Sequence, residues 1–342
     1  MPDVPTSPIN RRIVLARRPH GLVIEEDFRQ EAVEVPEPAP GEALVRNLYL
    51  SLDPAMRGWM DEGDTYVPAI GIGEVVRCGG IGEVVTSNTE GLVSGELVSG
   101  VLGWQDYALV TTRGPRGVSK LEPGIDPTMA MSVLGITGMT AWFGLFDIGK
   151  PVPGETVVVS GAAGATGSVA AQLAKAHGAR VVGIAGGSEK CAWLRSLGLD
   201  EAVDYHHDLR SQLESTCPDG VDVFFDNVGG EILEAVLHRI RDHARIVMCG
   251  AISGYNDTAP APGPRNLSQL IIHRGRMEGF IVFDYARRFP EAQADLARRV
   301  TSGELQWKVD IVEGLDEAPM AMNRLFSGGN TGKLLVKLGD PS

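Results

Sequence analysis

Residues 156–168 read TVVVSGAAGATGS and continue as VAAQLAK over 169–175. A β-branched run, a turn of small residues and an alanine-rich helical stretch follow one another without a break. Small residues let the backbone come close to a pyrophosphate, and the start of the helix offers it free N–H groups and partial positive charge. The spacing is Ala162-x-Gly164-x-x-Gly167, with alanine where the usual fingerprint has its first glycine. Such a motif is weak alone, but this one sits between a strand and a helix, the context it requires. Gly164, Ala165, Thr166 and Gly167 are therefore candidate contacts for a dinucleotide.

The surrounding text supports that context. Apolar runs at 156–160, 180–185, 202–204, 221–226 and 244–249 alternate with helical stretches at 166–177, 189–197 and 232–240. Uninterrupted Val, Ile and Ala strands are buried on both faces, and the alternation requires a doubly wound parallel sheet. From 25 to about 110 the texture differs, with short strands expected at 43–47, 71–76, 82–85, 96–100 and 107–110 between Pro and Gly turns. That pattern predicts a small irregular β-barrel or sandwich. Beyond Ser253 come a Pro/Gly loop at 255–264, a helix at 267–274 and a strand at 277–283. The stretch from Trp307 through 332–337 is strand-rich again and is expected to return to the first domain. A chain of 342 residues suits about two domains.

Composition removes other classes. Lys and Arg number 31 against 44 Asp and Glu, a net charge of −13 with no basic block, so no nucleic acid or anionic membrane surface is expected as partner. Cys78, Cys191, Cys217 and Cys249 contain no CxxC pair and read as reduced thiols of a cytoplasmic protein. The start, MPDVPTSPINRR, has no apolar signal stretch. Residues 127–146 are uncharged for 20 residues, a bilayer-spanning length. Their Gly135, Gly138, Gly144, Ser132, Thr137 and Thr140, bounded by Asp126 and Asp147, favour a buried helix.

The second strand decides between the two nicotinamide dinucleotides. It ends as RVVGIAGG at 180–187, without the acid that NAD proteins set against the ribose 2′-hydroxyl. Lys190 and Tyr205 follow, a cation and a hydroxyl suited to a 2′-phosphate, so NADP(H) is expected. The alternative makes Glu189 the ribose ligand and Lys190 a surface lysine. His206 and His207, adjacent on a loop, are expected to point to different faces and to hold no ligand. Arg57 is expected in a local ion pair, and Arg287, Arg288, Arg298 and Arg299 on solvated faces.

Several motifs in order carry a resemblance that covers nearly the whole chain. They are LYLSLDPAMR at 48–57, GMTAWFG at 138–144, the glycine loop, FDNVGG at 225–230, CGAIS at 249–253 with YN at 255–256, and GNTGK at 329–333. With these the chain resembles the zinc-free branch of the medium-chain dehydrogenase/reductase superfamily, in particular the NADPH-dependent alkenal/one oxidoreductases. That group takes in prostaglandin reductases (leukotriene B4 12-hydroxydehydrogenase), plant double-bond reductases and bacterial curcumin reductase. LGWQDY at 102–107 looks like the bacterial members.

The resemblance implies a GroES-like catalytic domain from 1–133 and 305–342, a Rossmann NADP-binding domain from 134–304, an active site in the cleft between them, and a homodimer. It implies reduction of the C=C bond of α,β-unsaturated aldehydes and ketones by hydride transfer to the β-carbon. The protein must then position the enone and stabilise the developing enolate oxygen. Tyr255 is the implied catalytic hydroxyl. Asn227, Cys249, Gly250, Ala251, Ile252, Ser253, Tyr255, Phe280, Ile281, Val282 and Asn330 are implied cofactor contacts, and Tyr66, Met139, Thr140 and Tyr255 substrate contacts. No metal is expected. Ser51, Leu52 and Asp53 stand in the early region where zinc-dependent relatives place ligands, and only Cys78 precedes residue 190 among the cysteines. Two rival functions remain, a quinone oxidoreductase of the same superfamily and an NADPH-binding scaffold or redox sensor without turnover.

Overall fold

A computed structural model describes residues 9–63, 65–259 and 263–341. The reading of the first eight residues, and of 260–262 in the 255–264 loop, lies outside the described residues. The chain divides into two compact units. One comprises Met1–Met131, Asp310–Gly329 and Leu334–Ser342, the other Ser132–Val309 and Asn330–Lys333.

The first unit opens with β1 (Ile9–Leu15) and β2 (Phe28–Glu34), an antiparallel pair. Then come β3 (Ala43–Ser51), α1 (Ala55–Trp59), β4 (Gly79–Ser87), β5 (Leu97–Val101), β6 (Tyr107–Val110), β7 (Val118–Lys120) and α2 (Pro127–Met131). In the second unit α3 (Ile136–Phe143) runs into a π-helical turn at Gly144–Gly149. It is followed by β8 (Thr156–Val159), α4 (Ala165–Ala176), β9 (Arg180–Ala185), α5 (Ser188–Ser196), β10 (Glu201–Asp204), α6 (Leu209–Thr216), β11 (Val221–Asp226), α7 (Gly230–Leu237) and β12 (Ile240–Met248). After α8 (Ser268–Ile272), β13 (Arg276–Gly279) and α9 (Phe289–Thr301), the chain re-enters the first unit with β14 (Val309–Glu313), α10 (Ala318–Phe326) and β15 (Lys333–Lys337).

The second unit holds a six-stranded sheet in the order β10-β9-β8-β11-β12-β13, parallel throughout. Its β8 and β11 are buried at every position, as strands covered by helices on both faces must be. Val158, Val182, Ile184 and Phe224 pack against Leu213, Leu233 and Val236 from the helices. The strand order reverses direction at β8, and ligands of such sheets sit beyond the strand C-termini at that point. In the first unit a seven-stranded sheet runs β14-β15-β3-β4-β5-β7, with β6 also paired to β3. Ile13, Val45, Leu50, Met56, Trp104 and Val336 lie in its core.

The structure departs from the sequence reading in several places. Residues 71–76 form no strand: Gly73 has φ +84°, which turns the chain, and only Val75 bridges to Val14. The expected strand at 277–283 stops at Gly279, and a 3-10 turn begins at Val282. The helix expected through 240 ends at Leu237, because Val221 donates to Arg239 O at 2.8 Å and Ile240 already begins β12. The stretch 127–146 is two helices separated at 132–135. Among the described residues no helix is long and apolar enough to cross a membrane.

Of the arginines expected on solvated faces, Arg287, Arg288 and Arg298 are exposed and Arg299 is half-buried, while Arg288, Arg298 and Arg299 form ion pairs. Arg288 bonds Glu291 at 2.8 Å and Asp147, and its guanidinium lies 5.2 Å from the Phe143 ring centre. The Arg299 side chain is 15% exposed and bonds Asp295 at 2.9 Å. Arg57 behaves as expected, bonding Asp61 at 2.7 Å and Gly21 O at 3.0 Å.

Gly138 fixes the turn into α3, since a Cβ there would lie 1.8 Å from Val133 O. Replacing it with Ala should cost about 3 kcal/mol or more. Gly58 in α1 has no atom within 4 Å of such a Cβ, so Gly58→Ala should change stability by about 0.5 kcal/mol or less. Chemical denaturation of both variants checks the contrast, and equal effects would contradict it.

Candidate functional site

The glycine loop joins β8 to α4. Ser160 donates its N–H to Phe225 O at 3.0 Å and Ala162 to Ile184 O at 3.0 Å, which ties the loop to the ends of β11 and β9. Gly161 has φ +55°, a left-handed conformation that favours glycine. Gly164 caps α4 in extended geometry and with no side-chain bond, so the first-turn N–H groups of Ala165, Thr166 and Gly167 face outward for an anion. At Gly167 a Cβ would stand 2.3 Å from Gly161 O and 2.9 Å from the Ala162 Cα. The helix comes this close to the strand only because the third glycine has no side chain. Gly332 closes the other side: its N–H bonds Ala163 O at 2.8 Å. That brings Asn330 beside the loop, with its side-chain amide donated to Gly332 O at 3.0 Å.

Next to the loop, β11 ends in Asp226, which is fully buried. Its Oδ1 accepts from Ser160 Oγ at 2.7 Å and from the N–H groups of Val228 and Gly229, each at 3.0 Å. Its backbone O accepts from Cys249 at 2.9 Å and Gly250 at 3.1 Å. Asn227 bonds Ser160 through both its N–H, at 2.8 Å, and its side chain, at 2.7 Å. Ser253 reaches Val228 O with its hydroxyl at 2.6 Å, and Ile252 donates to Asn227 O at 3.3 Å. The expected residues Asn227 and Cys249 to Ser253 are thus gathered beyond β8, β11 and β12.

Burial sets the protonation states here. It pushes the Asp226 carboxyl up, against the Ser160 hydroxyl and the Gly229 and Val228 N–H groups, which pull it down. The Cys249 thiol is pushed up to about 12, first by burial and then by the Asp226 charge, so it stands as a neutral thiol. Burial also raises the Tyr255 phenol, while the Ala251 N–H works the other way. That N–H donates to the Tyr255 oxygen at 3.2 Å. The phenol therefore keeps its own proton to donate.

Other expected residues fall less directly. The Phe280 ring lies against Gly144, whose added Cβ would be 2.8 Å from it. Ile281 and Val282 follow β13, Val282 being buried. Met139 is 3% exposed, and Thr140 bonds Ile136 O one turn back in α3 at 2.7 Å. Tyr66, in the first unit, is 48% exposed and meets Trp59 edge-on at 6.3 Å. Beyond β9, the Tyr205 N–H bonds Ala185 O at 3.1 Å, and Lys190 stands half-buried in the first turn of α5.

Three residues near the strand ends have no role assigned from sequence, although Asp226 and Asn256 stand in the FDNVGG and YN motifs: Ser160, Asp226 and Asn256. Asp226 Oδ2 and Asn256 Oδ1 are buried atoms without a hydrogen-bond partner. A carboxylate closing an apolar strand at 221–226 was the available signal for Asp226. For Asn256 the signal was its place in the YN motif at 255–256. A side-chain-free loop, a helix start and unpartnered buried acceptors fit a dinucleotide. Among the described residues no three His, Cys, Asp or Glu side chains gather as a metal-binding group.

Comparison with known proteins gives the same direction. Residues 11–118 match the family described as N-terminal domain of oxidoreductase, and 165–298 the family described as Zinc-binding dehydrogenase. The chain is 41% identical to the NADPH-dependent curcumin reductase of Escherichia coli (strain K12) over 336 residues, 96% of this chain and 97% of that one. It is 37% identical to the 2-alkenal reductase (NADP(+)-dependent) of Nicotiana tabacum, covering 96% and 97%. Among solved structures, CurA from Vibrio vulnificus in complex with NADPH superposes with a TM-score of 0.91 at 41% identity, covering 97% of this chain and 100% of that one.

A thiol pushed up to about 12 holds only about one part in ten thousand as thiolate at pH 8. Iodoacetamide at that pH should therefore leave Cys249 unmodified in the folded protein while labelling it in urea. Peptide mass spectrometry reads the site, and rapid labelling in the native state would contradict this protonation.

Proposed function

The chain belongs to the medium-chain dehydrogenase/reductase superfamily, and from that premise we propose that it is an NADPH-dependent reductase of the C=C bond in α,β-unsaturated aldehydes and ketones. The observation that carries this reading is the half-buried Tyr255 phenol, set beside the turn of Gly250 and Ala251 beyond the sheet that also holds the glycine loop. When bound, NADPH supplies the hydride for the β-carbon of the conjugated alkene.

The chain's own residues bind and polarise. The first-turn N–H groups of Ala165 to Gly167 take the pyrophosphate, and Lys190 and Tyr205 take the 2′-phosphate. Asn227, Cys249 to Ser253, Phe280 to Val282 and Asn330 frame the nicotinamide end. The Tyr255 O–H donates to the substrate carbonyl oxygen as negative charge develops there. Raised by burial, the phenol keeps its proton across the neutral range, so this donor does not fail as pH rises from about 6 to about 9. The reading gives no metal a role: Ser51 donates its hydroxyl to Asp53, and this pair offers neither thiolate nor imidazole.

We further propose a homodimer in the cytoplasm. Among the described residues the edge strand β13 pairs only with β12, and α8 just before it leaves Ile271 81% and Ile272 57% exposed. An open edge beside apolar side chains favours a second copy. The four cysteines form no disulfide among the described residues, which suits a reducing compartment.

Purified protein should oxidise NADPH rapidly with 2-alkenals and enones and far more slowly with NADH in its place. Turnover with quinones alone would favour the quinone reductase, and binding without turnover the scaffold. Tyr255→Phe should lower kcat about 10²-fold with NADPH affinity unchanged; an unchanged kcat removes Tyr255 from the chemistry. The pair Ile271→Glu and Ile272→Glu should shift the protein to monomer in sedimentation, while an unaltered dimer would put the interface elsewhere.

A further inference from the structure

NAD-binding sheets place an acid at the end of the second strand, and here a different structure fills that space. Gly186 directly follows β9. A Cβ built on it would lie 2.8 Å from the Tyr205 hydroxyl and 2.9 Å from Cε1 of His206. The volume that an acidic side chain would need is therefore taken by a phenol and an imidazole, whose rings meet edge to face with centres 4.5 Å apart. The imidazole is also oriented. His206 Nδ1 lies 3.2 Å from Asp204 Oδ1, and the His206 N–H donates to the same oxygen at 3.1 Å. That oxygen also accepts from Gly187 N–H at 3.0 Å. With Nδ1 turned to Asp204, Nε2 is directed away from it, and the side chain is 57% exposed.

We propose that His206 is a third contact for the NADPH 2′-phosphate, beside Lys190 and Tyr205, and that it makes the preference for NADPH over NADH depend on pH. The inference rests on the dinucleotide lying along the glycine loop. A neutral imidazole whose Nδ1–H faces Asp204 presents only a lone pair at Nε2, which a phosphate oxygen repels. The doubly protonated ring instead donates Nε2–H and brings a positive charge. Binding of NADPH then takes up a proton at His206, whereas NADH, lacking the phosphate, has no such link.

The titratable groups that the structure places against the ring are Asp204, which ends β10, and Tyr205, which follows it. His207 Nε2 stands 3.8 Å from Asp204 Oδ2, and Asp208 is occupied in capping α6 through the Ser211 N–H at 3.1 Å. The Gly187 N–H, with the His206 N–H and the two imidazoles, holds the Asp204 carboxyl below the usual range. It stays ionised through neutral pH.

Calorimetric titration of the full chain with 2′,5′-ADP and with 5′-AMP isolates the phosphate. Between about pH 7 and about pH 9 the affinity for 2′,5′-ADP should fall about 10-fold and that for 5′-AMP less than about 2-fold. At pH 7, His206→Gln should weaken 2′,5′-ADP about 5- to 10-fold and flatten its pH dependence, leaving 5′-AMP unchanged. His206→Lys should keep the affinity and lose the pH dependence. Unchanged 2′,5′-ADP binding in His206→Gln, or an equal loss for 5′-AMP, would overturn the proposal. A wild-type chain that binds neither NADPH nor 2′,5′-ADP would instead refute the cofactor reading itself.

Discussion

Asp226, fully buried at the end of β11, links the ends of three parallel strands, β8 through its carboxyl and β12 through its backbone oxygen. Its side chain takes donors from Ser160 after β8 and from Val228 and Gly229 in its own turn, while its backbone oxygen takes Cys249 and Gly250 after β12. Burying a carboxylate is costly unless hydrogen bonds replace the lost water, and here three converge on one oxygen. The consequence reaches the chemistry. The glycine loop, Asn227 and the turn carrying Tyr255 share one anchor, which joins the proposed phosphate cradle to the turn beside the phenol.

Close backbone approach is the second constraint. The start of α4 can face a pyrophosphate because Gly167 lets it settle on Gly161 and Ala162. Gly186 likewise admits the Tyr205 and His206 side chains into a place that would otherwise hold an acid. The same residue type thus acts twice by leaving room for protein, once for backbone and once for side chains. Both lie along the C-terminal ends of a sheet whose strand order turns at β8, where open α/β sheets take their ligands.

How much of this was legible depended on whether the signal was local. The apolar runs 180–185 and 221–226 coincide with β9 and β11, and α4 begins one residue before the expected position, because burial on both faces writes itself into every residue. Polar β2, with Phe28 and Val33 among Arg, Gln and Glu, has no strand signal in sequence, and among the described residues it pairs only with β1. The run at 71–76 looked like a strand by composition, yet the positive φ of Gly73 breaks it. In the site, the glycine loop declared itself through its spacing. Asp226 and His206 did not, because their partners come from residues far along the chain or from a neighbouring strand end. In sequence His206 is a loop histidine, and only the fold brings it against Gly186.

The central claim concerns which bond receives the hydride. NADPH carrying deuterium at both C4 positions, incubated with the protein and an enone, answers it by mass spectrometry and NMR of the product. The account predicts a saturated ketone with deuterium on the former β-carbon. An allylic alcohol with deuterium on the carbinol carbon would contradict it.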